Sequence, residues 1–398
     1  MIGDTDHECN IITTVIYRLS MKALFFMKIE NTNYIKTMCQ GCELTEEEAK
    51  TINELDCQGC ILLTSLPDLP LCTYLDCSCC TALVYLPDLP LCTILRCRVC
   101  TALVSLPDLP LCTRLYCDGC TALVSLPDLP LCTILRCMVC KALVSLPDLP
   151  LCTRLSCDGC TALMSLPDLP VCTILRCRGC TYLTSLPDLP LCTILRCSST
   201  SLTSLPDLPL CTELWCGNTS LTSLPDLPVC IILYCWACTL TSLPDLPMCT
   251  SLYCGECTAL TSLPNLPLCT ELDCYGCTSL TSLPDLLVCT ILYCYCCTSL
   301  ISLPDLPVCT ELRCGNTLLT SLPDLPVCTA LWCNELPHLT HITVPDNCKV
   351  LCYKSPISGY NNDIYLSYTN ERNNIISSSI NNSHNYEQGI VSIIVGYL

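Results

Sequence analysis

From residue 52 onward, apolar and polar positions follow one order that keeps returning. A typical copy reads Cys92-Thr-Ile-Leu95-Arg-Cys97-Arg-Val-Cys100-Thr-Ala-Leu103, then Val-Ser-Leu106-Pro107-Asp108-Leu109-Pro110. Leu95 and Cys97 are two residues apart, so they share one face of a short strand, and residues flanking them point to the other. Cys92, Cys100, Leu103, Leu106 and Leu109 fall where the chain must keep its apolar side inward. Pro107 and Pro110 forbid a regular helix on the way back and favour an extended, polyproline-like return. The predicted unit is one short strand, a turn and an extended back side.

The unit recurs every 19 or 20 residues. Leu-Pro-Asp-Leu-Pro or a close variant appears fourteen times from Leu66 to Pro326, with Asn265 for the Asp once and Leu287 for the last Pro once. Fifteen Leu-x-Cys triplets run from Leu55 to Cys333, and a degenerate sixteenth unit is expected at 348–353. Twenty residues cannot bury such an apolar row alone, whereas stacked copies cover one another. The strands should therefore align in parallel about 4.8 Å apart, and fifteen or sixteen coils should span an arc on the order of 70–75 Å. This divides the chain into an N-terminal capping region (1–51), the array (52–353) and an Asn/Ser/Ile-rich tail (354–398).

The pattern Leu-x-x-Leu-x-Cys-x-x-Cys-x-x-Leu-x-x-Leu-Pro-x-Leu-Pro resembles the leucine-rich repeat family, with Cys in place of that family's first Leu in most units. The 20-residue length and the Leu-Pro-x-Leu-Pro back side look like the short subtype of bacterial secreted effectors. Similar Cys-rich, nearly identical arrays occur in proteins of giant DNA viruses. The resemblance implies an α/β-type repeat solenoid with little helix: a curved right-handed superhelix whose parallel β-sheet lines a concave, protein-binding face. The convex side would be extended.

Composition changes the picture at cysteine. The 398 residues are 51% hydrophobic and 14% charged, which excludes a disordered chain over most of the length. There are 47 Cys, twelve pairs of them spaced Cys-x-x-Cys, among them Cys57/Cys60, Cys97/Cys100 and Cys274/Cys277. Alone, such pairs would signal zinc. Here each occupies a slot the repeat needs small and buried, which a free thiol suits. Thr200, Thr219 and Thr317 replace the second Cys with no other change, and only four His are present. Reduced thiol ladders are expected, ahead of metal sites or partial disulfides, and no cofactor. Asp4, Asp6 and Glu8 stand where a secretory signal would be basic. That points to the cytoplasm, a host's if the source is viral, where thiols stay reduced.

The net charge of −18 comes largely from thirteen Asp of the back-side motif, such as Asp108, Asp128 and Asp148, without which it would be −5. They should stack into a solvated acidic ridge. A calcium ladder would need six to eight oxygens per ion, more than one Asp per coil supplies.

The residue between the inward Leu and Cys varies, and function would be written there. In order it is Asp56, Asp76, Arg96, Tyr116, Arg136, Ser156, Arg176, Arg196, Trp215, Tyr234, Tyr253, Asp273, Tyr293, Arg313, Trp332. Basic residues come first, with Arg98, Arg114, Arg154 and Arg178 beside them, and aromatic residues follow. Arg and aromatics anchor protein interfaces. The candidate partner-binding set is Arg96, Arg136, Arg176, Arg196, Trp215, Tyr234, Tyr253, Tyr293 and Trp332. Repeats copied by unequal exchange would also give Arg96, Arg136 and Arg176 in nearly identical contexts, so drift stands as the alternative. The acidic whole and the lack of Lys clusters disfavour nucleic acid.

The ends break the pattern. Residues 11–29 are apolar but interrupted by Arg18, Lys22 and Lys28, too broken to span a membrane. Thr45-Glu46-Glu47-Glu48 reads as a capping box opening a helix of two or three turns to Leu55. Cys39-Gln-Gly-Cys42 copies Cys57-Gln-Gly-Cys60, the mark of a worn half-repeat. The tail is expected to be flexible, its apolar last ten residues too short for a bilayer. No Gly-rich phosphate loop and no His-based catalytic set can be assembled, and 45 residues after the last coil are too few for the ligase domain of some similar effectors. The expectation is a monomeric, non-enzymatic scaffold, viral or effector, that holds a protein partner on its concave face and takes no small-molecule substrate. A virion-associated structural role and a ubiquitin-ligase adaptor are the alternatives.

Overall fold

In the computed structural model, the structure describes residues 44–357 and the backbone of Ile35–Thr37. The apolar segment 11–29, the pair Cys39/Cys42 and nearly all of the tail lie outside the described residues. Among the described residues seventeen three-residue strands form one parallel sheet in which each strand pairs with the next in sequence. Registers are uniform: Ile94, Leu95 and Arg96 sit opposite Arg114, Leu115 and Tyr116, and the same holds from coil to coil. The central residue of each strand is inward. Leu95, Leu115 and Leu135 are fully buried, while their neighbours on both sides lie on the outer face.

Behind the sheet the core is a set of ladders running along the solenoid. Leu95, Cys97, Cys100, Leu103, Leu109 and Cys112 are all buried, as are their counterparts in every regular coil. Identical side chains meet identical ones, so each coil closes the apolar surface of its neighbour. The described cysteines are free thiols, and those at the Cys92 and Cys100 positions of the regular coils donate to backbone carbonyls. Cys92 Sγ donates to the Ile94 carbonyl at 3.3 Å, and Cys100 Sγ donates back to the Cys77 carbonyl of the preceding coil at 3.1 Å. Burial pushes the Cys92 and Cys132 thiols up to about 12. Thr200, Thr219 and Thr317 fill the second slot and turn their hydroxyls onto the carbonyl three residues earlier, at 2.7, 2.7 and 2.9 Å. Either residue type therefore leaves no orphan donor in that slot. Along the sheet's edge, Thr93 Oγ1 donates to Thr73 O at 3.0 Å and Thr113 Oγ1 to Thr93 O at 3.1 Å, a second ladder broken at Ile231.

From Glu54–Asp56 onward each coil leaves its strand through one residue with positive φ. Among the described residues sixteen positions do so and only five are Gly, the others including Val99 and Val139. The Leu-Pro-Asp-Leu-Pro return is extended, and the Asp side chains, such as Asp108 and Asp148, are exposed. Among the described residues the thirteen make no ion pair.

The N-terminal helix differs from the expectation. The capping box is present: Thr45 Oγ1 accepts from Glu48 N, and Glu48 Oε2 accepts from Thr45 N. The helix is a single turn, Glu46–Ala49, and Glu54–Asp56 is already a strand. Ile52 and Leu55 are buried with the first coil, and that burial sets the chain extended. The strand Ile35–Thr37 pairs in parallel with Glu54–Asp56, so the sheet starts one coil before residue 52 and the helix lies on that coil's return. At the other end Lys349–Leu351 pairs with Ala330–Trp332, which places the sixteenth unit in the sheet. No helix of the described residues is long and apolar enough to cross a membrane.

Candidate partner-binding face

The pleat presents three outer rows per coil: the residue before the inward Leu, the one after it, and the one after the following Cys. The middle row carries all nine candidate residues, and the register sets most of them beside one another. Arg176, Arg196, Trp215, Tyr234 and Tyr253 stand on five successive strands, opposite one another in that order. The Arg196 guanidinium lies 4.6 Å from the Trp215 ring centroid. Trp215 and Tyr234 follow at 4.1 Å, tilted by 37°, and Tyr234 and Tyr253 stack at 4.1 Å with ring planes parallel to within 2°. Parallel strand spacing brings identical rows within stacking distance, and aromatic side chains stacked this way stabilise both the face and one another. Asp273 then interrupts the row. Beyond it, Arg313 is held between Tyr293 and Trp332, at 4.3 and 4.6 Å. Tyr293 Oη donates to Glu311 Oε1 at 2.7 Å, which also receives Arg313 Nη2 at 2.8 Å.

The basic end is different in kind. Arg96 is exposed, lies 4.0 Å from Asp76 and flanks Tyr74 and Tyr116. Arg136 and Arg98 share Asp118, at 3.4 and 3.2 Å. Arg178 pairs with Asp158 at 3.6 Å, and Arg196 with Glu213 at 2.7 Å. Such pairs at a surface are each worth about 0–1 kcal/mol, so they orient guanidinium groups more than they hold the fold. Arg114 and Arg154, in the row before the inward Leu, are exposed.

Reading the sequence missed the pairing carboxylates, because Asp118 and Glu213 meet their Arg from another coil, 17 to 20 residues away. It also undervalued Arg313, the cation between two rings, and the third row, where Tyr275 and Tyr295 stack at 5.1 Å. Gly255 makes that row possible: a Cβ there would collide with the Tyr275 ring. The signal was available in the equal spacing of Trp236, Tyr275 and Tyr295 after their Cys. Burial raises Asp273 to about 6, against backbone donation from Tyr275 N at 3.1 Å. Burial, then Glu311, pushes the Tyr293 phenol up to about 12.

Elsewhere the described residues offer little chemistry. Among the described residues no three His, Cys, Asp or Glu converge on a point that would hold a metal ion. A cleft of about 370 Å³ on the back, between Asp324-Leu325-Pro326 and Thr343-Val344-Pro345, is open and has one carboxylate.

No protein-family model matches the chain, and no curated protein sequence does. Solved structures do resemble it. YopM from Yersinia enterocolitica WA-314 is 25% identical over 77% of this chain and 88% of its own, with a TM-score of 0.48. YopM from Yersinia pestis, described as a leucine-rich effector protein, is 26% identical over 64% and 81%, at 0.37. A leucine-rich repeat protein from Bacteroides ovatus ATCC 8483 is 15% identical over 76% and 84%, at 0.30. The leucine-rich-repeat architecture itself rests on this chain's own coils: a 19–20-residue period, one inward Leu per strand and one continuous parallel sheet.

Proposed function

We propose that this leucine-rich-repeat chain is a non-enzymatic scaffold that holds a protein partner on the face of its sheet. One observation carries the reading. The outer face concentrates half-buried Arg and aromatic side chains in a continuous row from Arg176 to Tyr253, while the back side repeats one exposed acidic motif. Arg96, Arg136, Arg176 and Arg196 would set the partner's orientation. Trp215, Tyr234, Tyr253, Tyr293 and Trp332 would supply the anchors; Trp215 and Tyr234, whose faces are covered by Arg196, Tyr253 and each other, would do so through ring edges and the Tyr234 hydroxyl. Thiol ladders packed as donors suit a reducing compartment, such as the cytoplasm of a host cell if this is a viral or effector protein.

Proximity labelling in the native cell tests it, run with the parent chain and with a Trp215→Ala/Tyr234→Ala double variant at equal abundance. A protein labelled by the parent and lost from the variant is the expected result. An identical labelled set from both would remove the sheet face as the site.

A further inference from the structure

Along the middle row every arginine but one has a carboxylate. Arg96, Arg136, Arg196 and Arg313 reach Asp76, Asp118, Glu213 and Glu311, and among the described residues no ion pair includes Arg176. Arg176 is nonetheless half-buried, and its Nε is closed to solvent with no hydrogen-bond partner. Its surroundings are cationic: Arg196 is opposite it on one side, Arg178 follows it two residues on, and Arg154 stands on the preceding strand. The nearby carboxylates are engaged. Asp158 receives the Arg178 side chain at 3.6 Å and the Arg178 backbone N–H at 2.7 Å, and Glu213 takes Arg196 through both Nε and Nη2. Burial, then Arg196, lowers the Arg176 pKa, against the opposing charge of Asp158. A partly desolvated cation whose nearest carboxylate is committed to another arginine is costly unless something outside the chain completes its pairing.

The neighbour on the other side of Arg176 makes room for that group. Ser156 lies opposite Arg176 on one strand and opposite Arg136 on the other, and it is the smallest side chain in the row between Arg96 and Trp332. Arg136 and Arg176 are thus two strand spacings apart, about 10 Å between Cα atoms, with a one-residue notch between them. A planar guanidinium binds a carboxylate through two parallel N–H···O bonds, and a serine hydroxyl adds a donor at the floor.

We infer that the notch of Arg136, Ser156 and Arg176 binds a carboxylate side chain from an acidic, extended segment of a protein partner. The inference rests on the sheet face being the binding face and names the chemistry of what binds there. The chain's net charge of −18 does not prevent it, because charges more than about 8 Å away are largely screened at physiological salt. Thirteen of those charges belong to the back-side motif and not to this face.

The test is fluorescence anisotropy of labelled hexaglutamate with the full chain at physiological salt, with hexaglutamine and an oligothymidylate of equal length as comparators. Hexaglutamate should bind and hexaglutamine should not. Arg176→Gln should weaken binding about tenfold, which is about 1.4 kcal/mol. Arg176→Lys, which keeps the charge and loses the fork, should fall between. Ser156→Tyr, which fills the notch and keeps every charge, should also weaken it. Lys349→Gln, the same charge loss on an exposed residue nine coils away, should change it by less than about twofold. Equal losses in Arg176→Gln and Lys349→Gln would reduce the effect to general charge and overturn the inference. So would no binding of hexaglutamate, or tighter binding of the oligothymidylate through Arg176, which would make the face a nucleic-acid surface. If hexaglutamate fails while the cellular partner still depends on Trp215 and Tyr234, the notch is refuted and the binding face survives.

Discussion

Val99 and Val139 turn out of their strands at φ 58° and 60°, in a region that suits Gly and costs a β-branched residue about 1–2 kcal/mol. The backbone there is fixed by its neighbours: Val139 N–H donates to Asp158 O at 2.7 Å, as Gly159 N–H does to Arg178 O one coil later. Val139→Gly should therefore raise stability by about 1 kcal/mol even after the added freedom of the unfolded chain, checked by denaturant unfolding. Asp273 is the opposite case, a residue whose charge is unwelcome. Its folded pKa of about 6 lies above the ordinary value near 4, so the folded state holds the proton more tightly than the unfolded one. The stability this group supplies is full below about pH 4 and is lost as the pH rises through 6. Asp273→Asn keeps an acceptor for Tyr275 N–H. It should raise the melting temperature at pH 7.5 and leave it unchanged at pH 4, and equal shifts at both would remove burial as the cause.

At the scale of the element, the coil was legible because its period is printed in the sequence. Leu95 and Cys97 two apart, Pro107 and Pro110 on the return, and Thr standing in for Cys at 200 all meant in three dimensions what they meant as pattern. Two features escaped. The turn after each strand needs positive φ, but Gly occupies it in only five coils, so composition hid a constraint that the stacked hydrogen bonds impose. The helix after Thr45 had a correct start and no visible stop, because the burial of Ile52 and Leu55 with the first coil ended it, a tertiary effect with no local signal. Of the face, the rows and their residue types could be read. The pairings of Arg with Asp118, Asp158 and Glu213 could not, since they need the register between coils. The ladder account predicts graded losses within one coil. Cys137→Ala should cost about 1 kcal/mol, one sulfur's packing, and Leu135→Ala about 3 kcal/mol, a larger cavity in the same wall. Equal costs in denaturant unfolding would mean that the ladders are not packed as described.

Across the whole molecule the two sides of the coil carry different information. The back is nearly invariant, exposed and acidic, and the sheet face varies from coil to coil, basic toward one end and aromatic toward the other. If that face is a binding surface, its two halves should fail differently. Arg96→Ala should mainly slow association and lose its effect in high salt, since an exposed cation acts chiefly on encounter. Trp215→Ala should mainly speed dissociation, with a loss of about 2 kcal/mol or more, as an anchor residue does. The most direct measurement is the dissociation rate of the recovered partner from Trp215→Ala set beside that from Asp148→Ala on the back ridge. The account predicts faster release from Trp215→Ala and an unchanged rate from Asp148→Ala. Equal acceleration by both would contradict it and leave the variation of the sheet face as the drift of copied repeats.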